Sequence, residues 1–277
     1  MRWAFRLLPG LSGAYALARR SRLLSAPWFR RGYSWAYFSY KRLLEDPFHG
    51  LVRQRPELFR GGLILDVGAH IGYTTSLFLE AMSPGSRIYA FEPEPENYAF
   101  LRETIARRRA GDRVVAVHAA VGDSEGSVDL WRNPVHPGDH RVATAAFRRQ
   151  AQGAVETTPV SLVSLDGFLA SVGEADAPVA FVKIDVQGYE PAVCRGMTKL
   201  LERSPFVTVA IEFAPRELRS QDFTAEDLVS FFRERGHSIH VLAKDGTVRY
   251  VGDGTPDVES TGRGYGDLLC SRRKLGA

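Results

Sequence analysis

Asp66, Gly68 and Gly72 stand in the run Leu63-Ile-Leu-Asp-Val-Gly-Ala-His-Ile-Gly-Tyr-Thr74, a pattern suited to holding a nucleotide-like ligand. Three apolar residues lead into a carboxylate, then a glycine, then a second glycine, then a helix-like stretch through about Met82. The run reads as a buried strand, a tight turn and a helix N-terminus. Glycine in such a turn lets a ligand come close to the backbone, because no Cβ intrudes. Twenty residues past Gly72, Glu92 ends a second apolar run, Arg87 to Phe91. A carboxylate there is placed to accept hydrogen bonds from a ribose diol. Dinucleotide-binding turns use G-x-G-x-x-G, which seats pyrophosphate on the helix N-terminus. Here the spacing is D-x-G-x-x-x-G, and the carboxylate of Asp66 would repel pyrophosphate. It would suit a ligand that carries an ammonium and a sulfonium. The expected cofactor is therefore S-adenosylmethionine (SAM) rather than NAD, with Asp66, Gly68, Ala69, Gly72 and Glu92 around it.

These residues need a sheet to hold them. After the Glu92 strand, Pro95 to Arg109 reads as a helix with Tyr98, Leu101 and Ile105 on one face. Arg113 to Ala119 reads as a third strand, followed by the turn Ala120 to Gly126 and a short hairpin partner, Ser127 to Trp131. Asn133 to His140 is a loop by its prolines and glycine, and the pattern stays weak to about Pro159. Val160 to Leu165 is another short strand candidate, with Asp166 capping a helix through Ser171. Pro178 to Ile184 is nearly all apolar, which predicts a central strand, and Phe206 to Phe213 predicts the next. Thr224 to Arg235 reads as a helix opened by a Thr224/Asp227 capping box and stopped by Gly236. His237 to Ala243 and Gly266 to Ser271 are the last strand candidates. The alternation predicts a doubly wound α/β sheet with an antiparallel edge strand. In such sheets ligands bind outside the carboxyl ends of the strands, and Asp66, Glu92, Gly122-Asp123, Asp185 and Glu212 all fall there. Asp123 is placed to accept a hydrogen bond from an adenine amino group.

Charge divides the chain unevenly. The first 60 residues hold twelve lysines and arginines against three acids, a balance of +9, so the rest of this +4 chain carries −5. The basic excess therefore gives no support to a nucleic-acid partner for the main body. We divide the chain into a basic, aromatic-rich N-terminal cap, residues 1–60, and a main domain, residues 61–277. Trp3 to Ala18 is interrupted by Arg6, Pro9 and Gly10, too short and too broken to cross a membrane, and it lacks a clean secretory pattern. Aromatics from Trp28 to Tyr40 alternate with Arg30, Arg31, Lys41 and Arg42. Three readings stay open for this segment: helices capping one end of the sheet, peripheral contact of residues 1–45 with an anionic membrane, or an organelle presequence. The expected setting is cytoplasmic, with membrane association if the second reading holds. Cys194 and Cys270 lie far apart with no secretory signal, which predicts buried thiols and no disulfide.

Four motifs in order carry a family resemblance: Asp66-Val-Gly-Ala-His-Ile-Gly-Tyr-Thr74, Phe91-Glu-Pro93, Ala120-Val-Gly-Asp123 and Lys183-Ile-Asp-Val-Gln-Gly-Tyr-Glu190. Together they resemble the FkbM-type SAM-dependent methyltransferases, over about Leu51 to Phe213; Gly138-Asp-His-Arg141 is similar to a subset of that family. The resemblance implies a class I methyltransferase (Rossmann-like) fold, O-methylation of a glycan, glycolipid or secondary metabolite, SAM contacts at Asp66, Gly68, Gly72, Glu92 and Asp123, and an active-site role for Asp185. Two positions depart from the family's pattern: His70 stands where Asn is usual, and Gln187 where Glu is usual, which removes one carboxylate. A transferred methyl needs an aligned hydroxyl and an acceptor for its proton. Asp185 is the first candidate, His140 the second because imidazole titrates near neutrality, and His136 the third. Asp185 with Asp139, Glu190 or Glu212 has oxygen ligands of the kind magnesium takes, so metal dependence is left open. Beside O-methylation of a small-molecule or glycan acceptor stand two alternatives: a protein or N-methyltransferase, and a SAM-binding scaffold without turnover.

Overall fold

The structure is a computed structural model, and it describes residues 26–42, 46–133, 138–151, 155–258 and 264–275. Its centre is β1 (Leu63–Val67), buried along its whole length. Next to it lies β8 (Val179–Ile184), equally buried. Near-continuous apolar runs of this kind form strands covered by helices on both faces. From β1 the chain passes through α3 (Tyr73–Ala81) to β2 (Ile88–Phe91), then through α4 (Pro95–Arg107) to β3 (Val114–Val117). All three strands pair in parallel. The chain then returns to the other side of β1, where β8 and β9 (Thr208–Phe213) continue the parallel run. The switch point lies between β1 and β8, where an open α/β sheet binds its ligand.

Beyond β9 the sheet turns antiparallel. β12 (Gly266–Ser271) lies against β9, β10 (Ser238–Leu242) lies against β12, and the short β11 (Val248–Tyr250) forms the edge. The full order is β11-β10-β12-β9-β8-β1-β2-β3. This is the doubly wound class I methyltransferase arrangement that the motifs imply. The antiparallel part comprises three strands rather than one, because Lys244 to Thr247 turns β10 back on itself and the last strand inserts between β9 and β10. A second sheet, in the order β4-β7-β5-β6, joins β4 (Ala120–Val121), β5 (Gly126–Trp131), β6 (Arg141–Val142) and β7 (Thr157–Val163). Between β6 and β7 runs the short α5 (Ala145–Gln150), and α6 (Leu165–Ser171) follows β7.

Each face of the main sheet has its own core. On one, Val67, Phe91, Val182, Ile211 and Leu268 pack under α6, α7 (Glu190–Arg195), α8 (Thr198–Arg203) and α10 (Ala225–Arg233), with α9 (Pro215–Ser220) alongside. Cys194 and Cys270 are both free and both buried there. The capping box predicted at Thr224 and Asp227 opens α10. On the other face, Ile64, Phe78 and Phe181 pack with Phe48 and Leu51 of α2 (Phe48–Gln54) and with Phe59 of a following 3-10 turn. The break in charge at Gly61 is therefore not a break in packing.

One more helix crosses the carboxyl edge of the sheet. α1 (Pro27–Tyr40) turns Tyr33 against Phe100, Tyr37 against His70 and Phe38 against Tyr73, and Arg30 pairs with Glu103 at 2.6 Å. Trp28 and Trp35 face outward, 68% and 75% exposed. Among the described residues no helix is long and apolar enough to cross a membrane.

Candidate active site

The β1–α3 turn is fixed from three sides. Gly68 and Ala69 donate their N–H groups to the Phe91 carbonyl at 3.1 and 2.9 Å, which ties the turn to β2. A Cβ on Gly68 would lie 1.9 Å from the Asp185 carbonyl oxygen, and φ there is +76°. Only glycine lets β1 and β8 end this close together. Below the turn, Asp66 is fully buried. One of its oxygens accepts from the hydroxyls of Thr74 and Thr75, at 2.9 and 2.6 Å, and so ties strand to helix.

A cavity of about 1000 Å³ opens over this turn and runs along the carboxyl edge of the sheet towards β10 and β11. That is the upper end of the range for ligand pockets, room for a nucleoside cofactor and an acceptor together. Gly68, Ala69, His70, Phe91, Glu92, Ala119 and Val121 line one end. Asp185, Gln187, Glu212 and Asp267 line the middle, with His140 and Arg141 beside them, and Tyr33, Tyr37, Tyr40 and Lys41 line the wall from α1. Asp66 and Gly72 stand behind the turn rather than in the cavity wall. Asp123 is exposed and pairs with Arg195 at 2.7 Å, outside the cavity lining. His136 lies outside the described residues.

Glu92 is nearly buried, 5% exposed, and accepts from the backbone N–H groups of His70 and Glu94, both at 2.9 Å. Burial pushes its carboxyl up to about 8. A carboxylate has about four acceptor positions, so two backbone bonds still leave room for a ribose diol. His70 adopts φ +52°, and neither ring nitrogen has a hydrogen-bond partner among the described residues. Burial, with His140 and Lys41 nearby, pushes its pKa down to about 3, so the ring is neutral.

Lys183 organises the acids. Its ammonium is buried, donates to the Gly68 carbonyl at 2.8 Å, and lies 3.3 Å from Asp185 and 3.8 Å from Asp66. Burial alone would raise Asp185; Lys183, with Lys41 and the Gln187 amide, outweighs it and holds Asp185 below its usual value. Gln187 sits at φ +57° and donates to Asp185 at 3.0 Å and to Glu212 at 3.1 Å. It thus bridges two carboxyl groups that would otherwise repel. Glu212 is pushed the other way, well above the usual range, by burial and by its acidic neighbours Asp185, Glu190 and Asp267. Asp267, directly across from Glu212 in the β9–β12 register, is raised to about 7 by burial and by Asp185. Glu190 is raised to about 7 by burial, but its carboxyl accepts from the Val186 and Gly188 N–H groups and caps the loop.

His140 and Arg141 both line the cavity. His140 accepts the Asn133 backbone N–H on Nδ1 at 3.0 Å. A neutral ring in that state carries its proton on Nε2 and is a donor there, not a base. Arg141 is held by Asp139 at 2.7 Å and by Glu217, so its charge is already matched. Among the described residues no three histidines, cysteines or acids are grouped to hold a metal ion. The sequence reading missed Lys183, Asp267 and the α1 tyrosines. A lysine inside an otherwise apolar strand was the available signal for the first, since a buried cation must be paired. Tyr33, Tyr37 and Tyr40 at helical spacing were the signal for the wall. Asp267 begins an antiparallel strand, so a rule about carboxyl ends passes over it.

This fold and this site can be set beside known proteins. The Methyltransferase FkbM domain model matches residues 66–239. Hexuronic acid methyltransferase AglP of Haloferax volcanii is 30% identical over 150 residues, 54% of this chain and 55% of that protein. Protein-L-isoaspartate O-methyltransferase of Aeropyrum pernix is 42% identical over 86 residues, 31% of this chain and 30% of that one. The 31-O-demethyl-FK506 methyltransferase FkbM of Streptomyces tacrolimicus is 37% identical over 91 residues, 33% of each chain. The matched stretch thus spans about half or less of these three relatives.

Proposed function

The chain belongs to the FkbM methyltransferase family, and we propose that it is a SAM-dependent O-methyltransferase that acts on a hydroxyl of a glycan, glycolipid or secondary metabolite. The observation that carries this reading is the charge order along one cavity. At its cofactor end stand a ribose-type carboxylate, Glu92, and an ionised Asp185 held by Lys183; next to them stand two carboxyl groups of high proton affinity. The ionised Asp185 fits a ligand bearing an ammonium and a sulfonium, Glu92 fits a ribose diol, and Phe91, Ala119 and Val121 fit an adenine ring. The bound cofactor supplies an already activated methyl group, so the protein's task is alignment and proton removal.

The residues divide that task by their proton affinities. Asp185, held low, stays ionised and accepts a hydrogen bond from a second hydroxyl of the acceptor, which fixes the acceptor's orientation. A carboxylate of low pKa takes a proton poorly at neutral pH; an efficient base titrates near the working pH. Asp267, raised to about 7 and so part-ionised near neutral pH, takes the proton of the hydroxyl that is methylated, while the protonated Glu212 stands behind it. His140, with its Nε2–H, donates a hydrogen bond to the acceptor rather than accepting its proton. The hexuronic acid named for the Haloferax relative supports a sugar-like acceptor.

The test is transfer of labelled methyl from SAM to a panel of hexuronate-containing glycans, neutral glycans and small alcohols. The expected product keeps its label after mild base, as an ether does and a methyl ester does not. Asp267→Asn should lower kcat more than KM, and Asp185→Asn should raise KM as well. SAM binding with no transfer to any acceptor would favour a scaffold. Label on an amine or on a protein side chain would overturn the assignment to a hydroxyl.

A further inference from the structure

We propose that the far end of the cavity is an anion subsite, formed by Lys244 and Arg249 of the β10–β11 hairpin with Arg216 flanking it, and that the acceptor carries a carboxylate or phosphate at a distance from the hydroxyl that is methylated. This deepens the O-methyltransferase reading and rests on it.

All three cations line the same cavity as Asp185 and Glu92, and they come from three places: the first turn of α9, the β10–β11 turn, and β11. None of the three has a hydrogen-bond or ion-pair partner among the described residues, while other cations of the cavity wall are engaged. Arg141 is held by Asp139 and Glu217, and Lys183 by Asp185 and Gly68. The acid nearest Lys244 in sequence, Asp245, is turned back onto its own loop, where it accepts from Thr247. Of the other acids of the lining, Glu217 is taken up by Arg141, Asp46 accepts from Tyr73 and the His49 N–H, and Glu212 and Asp267 lie opposite each other on β9 and β12.

Topology sets the separation. The cofactor turn lies at β1, and Asp185 ends β8. From β8 the order runs through β9 and β12 to β10 and then β11. At about 4.8 Å per strand, the hairpin stands roughly 14–19 Å from the β8 end. Asp267, the proton acceptor of the proposed mechanism, pairs with Leu242 of β10, so an anion on the hairpin lies within reach of the methylated unit or the unit next to it. Arg216 follows β9 and sits between the two. The acceptor class is thus a sugar-like molecule whose anion sits on the methylated unit or the next one, apart from the hydroxyl that is methylated. Three exposed cations on one rim also raise the local concentration of such an acceptor.

The experiment uses the full chain with S-adenosylhomocysteine (SAH) bound, and measures binding of three probes: a disaccharide ending in a hexuronate, a disaccharide phosphate, and the neutral disaccharide. SAH binding is measured first; its absence would end the underlying reading and not this one. With SAH bound, wild type should bind at least one anionic disaccharide about tenfold or more tighter than the neutral one, two cations contributing roughly three- to fivefold each. That preference should shrink in high salt. Which anionic probe wins tells carboxylate from phosphate. Lys244→Glu/Arg249→Glu should abolish the preference, and Arg216→Glu should reduce it. Lys244→Gln/Arg249→Gln, which alters surface charge less, should reduce it too. Equal binding of neutral and anionic probes by wild type, or a preference that survives both double variants, would overturn the proposal.

Discussion

Lys183→Met removes the cation that Gly68 and Asp185 of the cavity wall share with Asp66 behind the turn. The ammonium lies 2.8 Å from the Gly68 carbonyl, 3.3 Å from Asp185 and 3.8 Å from Asp66. Methionine fills nearly the same volume, so packing changes little and the charge term dominates. Breaking a buried pair typically costs about 3–5 kcal/mol. Asp185 opens onto the cavity, with 38% of its side chain exposed, and water there screens part of the loss, so we take the low end, about 3 kcal/mol.

The pH dependence separates charge from packing. In the wild type Asp185 is held below its unfolded value, so it adds stability above that value and loses it as pH falls through the folded one. Without Lys183, burial is the largest remaining influence and raises Asp185. A raised carboxyl adds stability at low pH and loses it as pH rises through its folded value. The gap between wild type and variant should therefore be widest near pH 8 and narrow towards pH 4.5, by about 1.4 kcal/mol for each unit that Asp185 has moved. Urea unfolding of both proteins at the two pH values measures this. Lys183→Met/Asp185→Asn should recover about 1–3 kcal/mol of the loss, as coupled neighbours do. A loss independent of pH, or a double variant no better than the single, would refute the claim that Lys183 acts as a counter-charge.

Further outcomes follow from other groups of the site. Gly68→Ala should unfold the protein more readily as well as abolish SAH binding, because its Cβ would meet the Asp185 carbonyl at 1.9 Å; Gly61→Ala, with φ +86° but nothing within 4 Å, should cost only about 1 kcal/mol in the same thermal melt. Glu92, Asp267 and Glu190, raised to about 8, 7 and 7, favour their protonated forms in the folded state, so the ligand-free protein should lose stability as pH rises from about 4.5 to 8. In calorimetry, SAH affinity should rise up to about tenfold per unit over pH 6–8 as Glu92 ionises, and Glu92→Gln should flatten that slope. Gln187→Glu puts a third acid between Asp185 and Glu212 in place of two donated hydrogen bonds, so it should cost about 2–4 kcal/mol at pH 8 and less at pH 5. Millimolar magnesium should restore the melting temperature of that variant and leave the wild type unmoved, since oxygen-only clusters suit that ion.

Much of this architecture was written in local pattern. The β1 turn, the β8 strand and the α10 capping box follow from residue spacing within a dozen positions, and each stands where that spacing puts it. Of the second sheet, β5 and β7 were legible as the strands at Ser127 to Trp131 and Val160 to Leu165, but β5 pairs with β7 rather than with β3, and β4 and β6, two residues long, acquire their conformation only by pairing with β7 and β5. The order of the last strands was equally hidden. No local feature of Gly266 to Ser271 says that it will insert between β9 and β10; that follows from the apolar faces of Leu268 and Leu269 finding cores on both sides of the sheet.

The site divides along the same line. Acids at strand ends could be found one by one, yet their chemistry depends on partners that no spacing reveals. Asp185 and Glu212 read alike in sequence, each a carboxylate at the end of an apolar strand. In the fold one faces Lys183 and is held low, while the other faces three acids and is driven high. Gln187 joins them with one amide, and so keeps the ionised group and the proton-holding group at fixed separation. A glutamate at that position could not donate both bonds while ionised. The Gln187 amide is thus what lets two adjacent carboxyl groups keep opposite protonation states, and in the proposed mechanism it leaves the hydroxyl proton to Asp267.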